Sequence, residues 1–388
     1  MYQQGETSSV WSKNLILAML SSLCVGIAGQ LLNPTLPVYV VEIGIPETFA
    51  GTMLTAFSLG ALLFRPISGV LVDRIGRKKM VMIGAVIIFC SYMCYLLTST
   101  FYAMMAIRVL QGIGFCLTST GLGTIASDVI PRDKITEGIG YYALAGAVSM
   151  TVGPAIGFFL KDSMGMTSIF ITGLVLSVVC VFSAFNITYQ EKLIKVEKGA
   201  KLNIKLFEKN SLLPAAMIFT VTVAQTALTT YLALYAKSIG IASVGSFFLL
   251  NSFGTISARV FAGRITNRIG EQKFLIVSVT LTACCMFAVS LVNSYSMLCL
   301  IAVVYGFGYG VLYPVTNAMS IKNAKPENRG AANATYSASF DFGTILGGMV
   351  WGFVAAFTGY SIMYAIAAAL MLLVIPLTFV YRKKFPNS

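Results

Sequence analysis

The sequence predicts an all-α integral membrane protein, with twelve transmembrane helices in two pseudo-symmetric six-helix bundles. Three observations carry that expectation. Of the 388 residues, 57% are hydrophobic and 11% charged, mean hydropathy is +0.83, and apolar runs of about 20 residues, long enough to cross a bilayer, recur along the chain. Backbone groups in lipid must pair within their own segment, so such runs are helices; the alternating pattern of an outer-membrane barrel is absent. The net charge of +13 is confined to alternate loops. Finally, a charged motif of the first half recurs in the second.

The spans fall at 14–39, 48–72, 79–99, 101–127, 138–161, 166–186, 211–236, 243–266, 273–293, 295–320, 330–356 and 360–381. Arg74, Arg77, Lys78 and Lys79 follow the second span, and Arg132 and Lys134 the fourth. Lys192, Lys195, Lys198, Lys201, Lys205 and Lys209 follow the sixth; Arg264, Arg268 and Lys273 the eighth; Lys322, Lys325 and Arg329 the tenth. Arg382, Lys383 and Lys384 close the chain, whereas the other loops hold little beyond Lys161 and Lys237. By the positive-inside rule both termini face the cytoplasm of an inner-membrane protein. The charge therefore orients the chain in its lipid bilayer and calls for no nucleic acid partner. With no cleavage site apparent after it, the first span is expected to remain as a helix.

Other function classes lack their chemistry. The cysteines, such as Cys90, Cys94, Cys284 and Cys285, lie inside apolar spans, where they act as small hydrophobes. There is no histidine and no CxxC pair, so neither a metal site nor a zinc cofactor is expected. An intramembrane enzyme needs a nucleophile–base constellation that one buried acid cannot supply. No GxxxxGK[ST] phosphate loop is present to serve an ATP-driven pump.

The Lys- and Glu-rich stretch after the sixth span divides the chain into bundles 1–187 and 211–388, with residues 188–210 as a cytoplasmic linker. The second span ends Arg65-Pro-Ile-Ser-Gly69-Val-Leu-Val-Asp73-Arg74-Ile-Gly76, and the eighth ends Arg259-Val-Phe-Ala-Gly263-Arg-Ile-Thr-Asn267-Arg268-Ile-Gly270. Arg, Gly, Asp/Asn, Arg and Gly recur in one register. Two such halves form one known transporter layout, with the substrate site between them near the midplane.

On these residues the chain resembles the major facilitator superfamily, and its twelve-helix drug and metabolite exporters in particular. Gly69 to Lys79 matches the family's loop signature between its second and third helices. The resemblance implies a cytoplasmic gate of Gly69, Asp73, Arg74, Gly76 and Arg77, with Gly263 and Arg268 as the repeat. It places Asp73 beside the eleventh helix and pairs the acid Asp128 with Arg77. Gly69 is expected to permit close helix approach. Ser149 to Phe158 resembles the antiporter signature, with Gly153, Pro154 and Gly157 as a kink that admits the opposite half, although Ser149 and Phe158 stand where glycines are usual. Asn33-Pro34-Thr-Leu-Pro37 resembles the Pro-x-x-Pro ending of the first helix.

Arg108, in Arg108-Val-Leu-Gln111-Gly112, matches the family's arginine motif in a cavity-lining helix. It either serves proton coupling or substrate contact, or makes a static hydrogen bond to backbone or Gln30. Asp341 lies deep in the eleventh span, roughly 16 Å from its cytoplasmic end at about 1.5 Å per residue. A carboxylate there must be paired or protonated, and Arg65 is the expected partner, as a proton switch or as a permanent bridge. Cavity candidates are Gln30 and Asn33 in the first span, Gln111 in the fourth, Gln225 and Thr229 in the seventh, and the stripe Tyr305, Tyr309, Tyr313 and Asn317 in the tenth. An aromatic wall with few charges suits amphipathic, including cationic, solutes.

The expected function is therefore secondary active export of drugs or small amphipathic metabolites, driven by the proton gradient without a cofactor and carried out by a monomer. A nutrient uptake symporter or facilitator of the same fold is the alternative.

Overall fold

The computed structural model describes residues 11–131, 134–188, 208–322, 324 and 329–385. Arg132, most of the expected linker with Lys192 to Lys205, and Lys325 lie outside the described residues. Thirteen α-helices account for nearly all of what is described. They are α1 (Lys13–Glu42), α2 (Thr52–Ile75), α3 (Arg77–Leu97), α4 (Phe101–Val129), α5 (Ile135–Met164), α6 (Met166–Phe185), α7 (Leu212–Ser238), α8 (Gly245–Ile269), α9 (Glu271–Val289), α10 (Tyr295–Lys322), α11 (Arg329–Thr358), α12 (Tyr360–Leu372) and α13 (Val374–Lys384). The fold is all-α, as expected, and the chain is a multi-pass membrane protein.

Twelve spans are present, with the twelfth made of α12 and α13. Pro376 lacks an N–H and its ring crowds the carbonyl of Leu372, so the helix breaks at Leu373. Eleven spans are long and apolar enough to cross a membrane. The exception is α8, which carries Asn251, Arg259, Arg264 and Arg268. Pro34 and Pro37 do not end α1. They lie inside it, and the helix continues to Glu42. Because Pro34 brings no N–H, the carbonyl of Gln30 lacks its usual helical donor in mid-membrane.

The first six helices and the last seven pack by the same plan. In the first set α1 packs on α4, α5 and α6, α2 on α4, and α3 on α4 and α6. In the second, α7 packs on α10, α11 and α12, α8 on α10, and α9 on α10 and α12. The equivalence holds residue by residue. A Cβ on Gly60 would stand 2.1 Å from the Val109 carbonyl oxygen, and one on Gly112 2.0 Å from that of Phe57. At the matching positions, Gly254 would meet the Val303 oxygen at 2.2 Å and Gly306 that of Asn251 at 2.2 Å. Each half therefore uses a pair of glycines to bring two helix backbones into direct contact. The sharp turns match as well: Gly76 has φ 104° and ψ 147°, Gly270 φ 83° and ψ 152°. That region is open almost only to glycine. Gly76→Val is expected to cost about 1–3 kcal/mol, read as a lower Tm of the purified protein.

Across the halves α2 packs on α11, α5 on α8 and α1 on α7. Among the described residues these contacts gather at the face opposite the chain ends. There Gly51 and Gly348 cross backbone to backbone, and the Tyr231 hydroxyl accepts from the Gly51 N–H at 3.2 Å. Thr55 Oγ1 donates to the Ile345 oxygen at 3.1 Å. Ser243 donates to Asp162 at 2.5 Å, Tyr360 to Glu47, and Ser252 to the Thr151 carbonyl. The apolar core shared by the two halves draws Val38, Ala50, Ala155 and Phe158 from the first, all near this face. The molecule is sealed there, with its central cavity beneath the seal. At the other end, Glu208 to Asn210 of the expected linker belong with the second half, since the Glu208 N–H bonds Thr335 Oγ1 at 3.1 Å.

Candidate functional site

Between the halves lies a cavity of about 310 Å³ lined by α1, α2, α4, α5, α7, α8, α10 and α11. Of the expected residues, Gln30, Asn33, Gln225, Thr229, Tyr305, Tyr309 and Tyr313 line it, and so do Arg65 and Asp341. Tyr305 and Tyr309 stack, with centroids 5.8 Å apart and planes 9° from parallel. The stripe ends before Asn317, which lies a turn beyond the lining. The i, i+4 spacing places four residues on one helix face but does not say where the cavity stops.

Arg65 Nε donates to Asp341 Oδ2, joining α2 to α11. The carboxylate is buried, while the arginine side chain stays 28% exposed to the cavity. Pairing relieves the cost of placing both charges in the membrane. Ser68 Oγ donates to the Arg65 carbonyl at 2.8 Å and lies 3.2 Å from Thr120 Oγ1, fixing the α2 backbone against α4.

Arg108 and Gln111 do not reach the cavity. Arg108 is fully buried behind it. Its Nη1 donates to Gln111 Oε1 at 3.0 Å and its Nη2 to Asn33 Oδ1 at 2.9 Å, and the guanidinium lies 5.2 Å from the Phe57 ring centroid. Asn33 Nδ2 in turn donates to Gln30 Oε1 at 3.1 Å. In this conformation Arg108 has the static hydrogen-bonding arrangement, with Asn33 in place of Gln30, and acts on the cavity by positioning the α1 amides. Gln111 is taken up by Arg108 and is unavailable to a solute.

At the face holding the chain ends, the expected Arg77–Asp128 pair is present at 3.4 Å, with Arg77 buried. Arg74 and Arg268 are exposed. Gly263 lies within α8, and the side chain of Asp73 is outside what the structure describes. Gly69 departs from expectation: among the described residues nothing lies within 4 Å of where its Cβ would stand.

The kink motif also takes a different partner. A Cβ on Gly153 would stand 2.5 Å from Gln30 Cβ, and one on Gly157 2.7 Å from the Leu31 oxygen. These glycines admit α1 of their own half, and the cavity wall is reached instead by Pro154 together with Ser149, Met150 and Thr151. The two non-glycine positions have structural reasons. Ser149 packs on Gly26, where the missing side chain has moved to α1. Phe158 stacks on Phe248 of α8, centroids 5.2 Å apart, and helps close the seal.

Asn251, Thr255 and Arg259 were not among the expected cavity residues. They follow at intervals of four on α8 and all line the cavity. Arg259 had a signal in sequence, since it stands in the repeat where Arg65 does.

The comparisons with known proteins agree with this architecture. The Major Facilitator Superfamily profile matches residues 18–251 and 239–388. The chain is 24% identical over 371 residues to the staphylopine export protein of Staphylococcus aureus, covering 92% of each. It is 25% identical over 389 residues to the multidrug resistance protein MdtG of Escherichia coli, covering 95% of this chain and 94% of that one. In fold it resembles the crystal structure of a POT family transporter in complex with a thioalcohol-conjugated peptide, with TM-score 0.82, 13% identity and 96% of each chain covered. This chain is a membrane transporter, not an enzyme, and belongs to the major facilitator superfamily.

Proposed function

We propose that the protein is a proton-coupled exporter of small amphipathic organic solutes, working as a monomer in the inner membrane with both chain ends in the cytoplasm. The observation that carries this reading is the Arg65–Asp341 pair, a protonatable ion pair in the cavity wall that ties one half to the other. The printed names of the relatives, an export protein and a multidrug resistance protein, favour export over uptake.

In this reading the conformation described is loaded from the cytoplasm, with its outer face sealed and the pair intact. The halves then rock to open the outer face, and the solute leaves. A proton arriving from outside neutralises Asp341 and frees Arg65. The protonated protein returns and releases the proton inward, and the pair re-forms. The bundles 1–187 and 211–388 are the bodies that rock, and the Arg77–Asp128 pair steadies the cytoplasmic loop. Energy comes from the proton gradient alone.

The test uses everted membrane vesicles acidified inside by respiration and followed with a proton-sensitive dye. Addition of an exported aromatic solute is expected to release protons only from vesicles that contain the protein. Solute movement that dissipates no proton gradient contradicts proton coupling.

A further inference from the structure

The two halves match at the arginine but not at its partner. Arg65 on α2 and Arg259 on α8 occupy equivalent repeat positions, and both line the cavity. Arg65 has Asp341 on α11. The place on α5 equivalent to Asp341 is Ala147, so Arg259 has no carboxylate there. Its hydrogen bond is from Nε to the Gly310 carbonyl at 3.5 Å, and no ion pair forms to it among the described residues. Among the described residues Asp341 is the only acid in the lining, and it is already engaged. Counting Arg108 just behind Asn33, three guanidiniums face one carboxylate around this cavity.

An arginine in the membrane without a counter-charge is expensive, and such residues mark substrate paths. Its planar fork matches a carboxylate, which it binds through two parallel hydrogen bonds. In the same cavity wall stand the stacked rings of Tyr305 and Tyr309. We propose that Arg259 is the anchor for a carboxylate of the transported solute, which supplies the charge that Ala147 omits, while an apolar or aromatic body lies along Tyr305 and Tyr309. The substrate class is then anionic or zwitterionic amphipathic acids, in place of the cationic solutes that the aromatic stripe alone suggested. This deepens the exporter reading and rests on its placing the solute in this cavity.

The test measures equilibrium binding to the purified full-length protein in lipid nanodiscs, without any gradient, using naphthoxyacetate, naphthoxyacetamide and naphthoxyethylamine. These share one body and differ in the charge of the end group. The acid is expected to bind the wild type at least about tenfold more tightly than the amide or the amine. Arg259→Gln is expected to erase that preference and Arg259→Lys to keep part of it. Ala147→Asp, which restores the repeat's missing acid without touching the arginine, is expected to weaken the acid at least about tenfold by occupying Arg259. Equal binding of the acid and the amide to the wild type, no binding of the acid, or an unchanged preference in Arg259→Gln and Ala147→Asp overturns the assignment. Failure of the proton-coupled reading is separately visible, as charge-selective binding that persists in a protein without solute-linked proton movement.

Discussion

At about pH 4.5, Asp341→Ala is expected to destabilise the protein more than Arg65→Ala, although the two side chains form one pair. Losing the carboxylate strands a guanidinium that keeps its proton at any accessible pH. Losing the guanidinium strands a carboxyl group, which can shed its charge by binding a proton. Breaking a buried pair costs about 3–5 kcal/mol when the remaining charge has no escape. Arg65 retains 28% exposure to the cavity, so the expected loss for Asp341→Ala is about 1–3 kcal/mol. For Arg65→Ala at about pH 4.5 it is below about 1 kcal/mol, because holding a carboxyl neutral costs about 1.4 kcal/mol for each pH unit above its free value near 4. Thermal unfolding of both variants in one lipid or detergent at about pH 4.5 checks the order, and the reverse order there contradicts the pair as described. Neither variant is expected to couple solute movement to protons.

The second large effect is expected at Gly348. A Cβ there would stand 2.6 Å from the Gly51 carbonyl oxygen and 2.6 Å from Thr55 Oγ1. Gly348→Leu therefore holds α2 and α11 apart at the sealed face. The packing within each half is untouched, so Tm is expected to change little. Overpacking of this kind costs about 1–3 kcal/mol, and here the cost falls on one conformation. Transport is expected to drop about ten- to hundredfold, while deuterium exchange rises at residues 47–55 and 345–352. Unchanged exchange at those segments contradicts the crossing.

Most of this architecture is legible in the sequence because membrane physics leaves few choices. Long apolar runs must be helices, so the twelve spans fall within a few residues of their expected limits, and the repeat supports the division into two halves. The Arg65–Asp341 pair is legible because a charge in mid-membrane demands a partner, and the resemblance puts the second helix, with Arg65 at a suitable depth, beside the eleventh. The rest depends on which helix faces which. Spacing placed Gln111 and Asn317 on plausible faces, but the first lies behind the cavity and the second beyond it. Glycines mark close contacts without naming the partner, so Gly153 and Gly157 meet α1, while Gly69 meets nothing among the described residues. Arg259 was visible as a repeat residue. That it forms no ion pair among the described residues becomes evident only in the structure.

The most direct test of the central claim compares wild type with Asp341→Asn in proteoliposomes, measuring proton flux driven by a solute gradient and solute–solute exchange in the same preparation. The Asn variant removes the proton site while keeping shape and hydrogen-bonding capacity. The account predicts that exchange survives and proton flux disappears. Proton flux in Asp341→Asn equal to wild type, at every pH tested, would show that the proton travels elsewhere and that the Arg65–Asp341 pair is only a structural bridge.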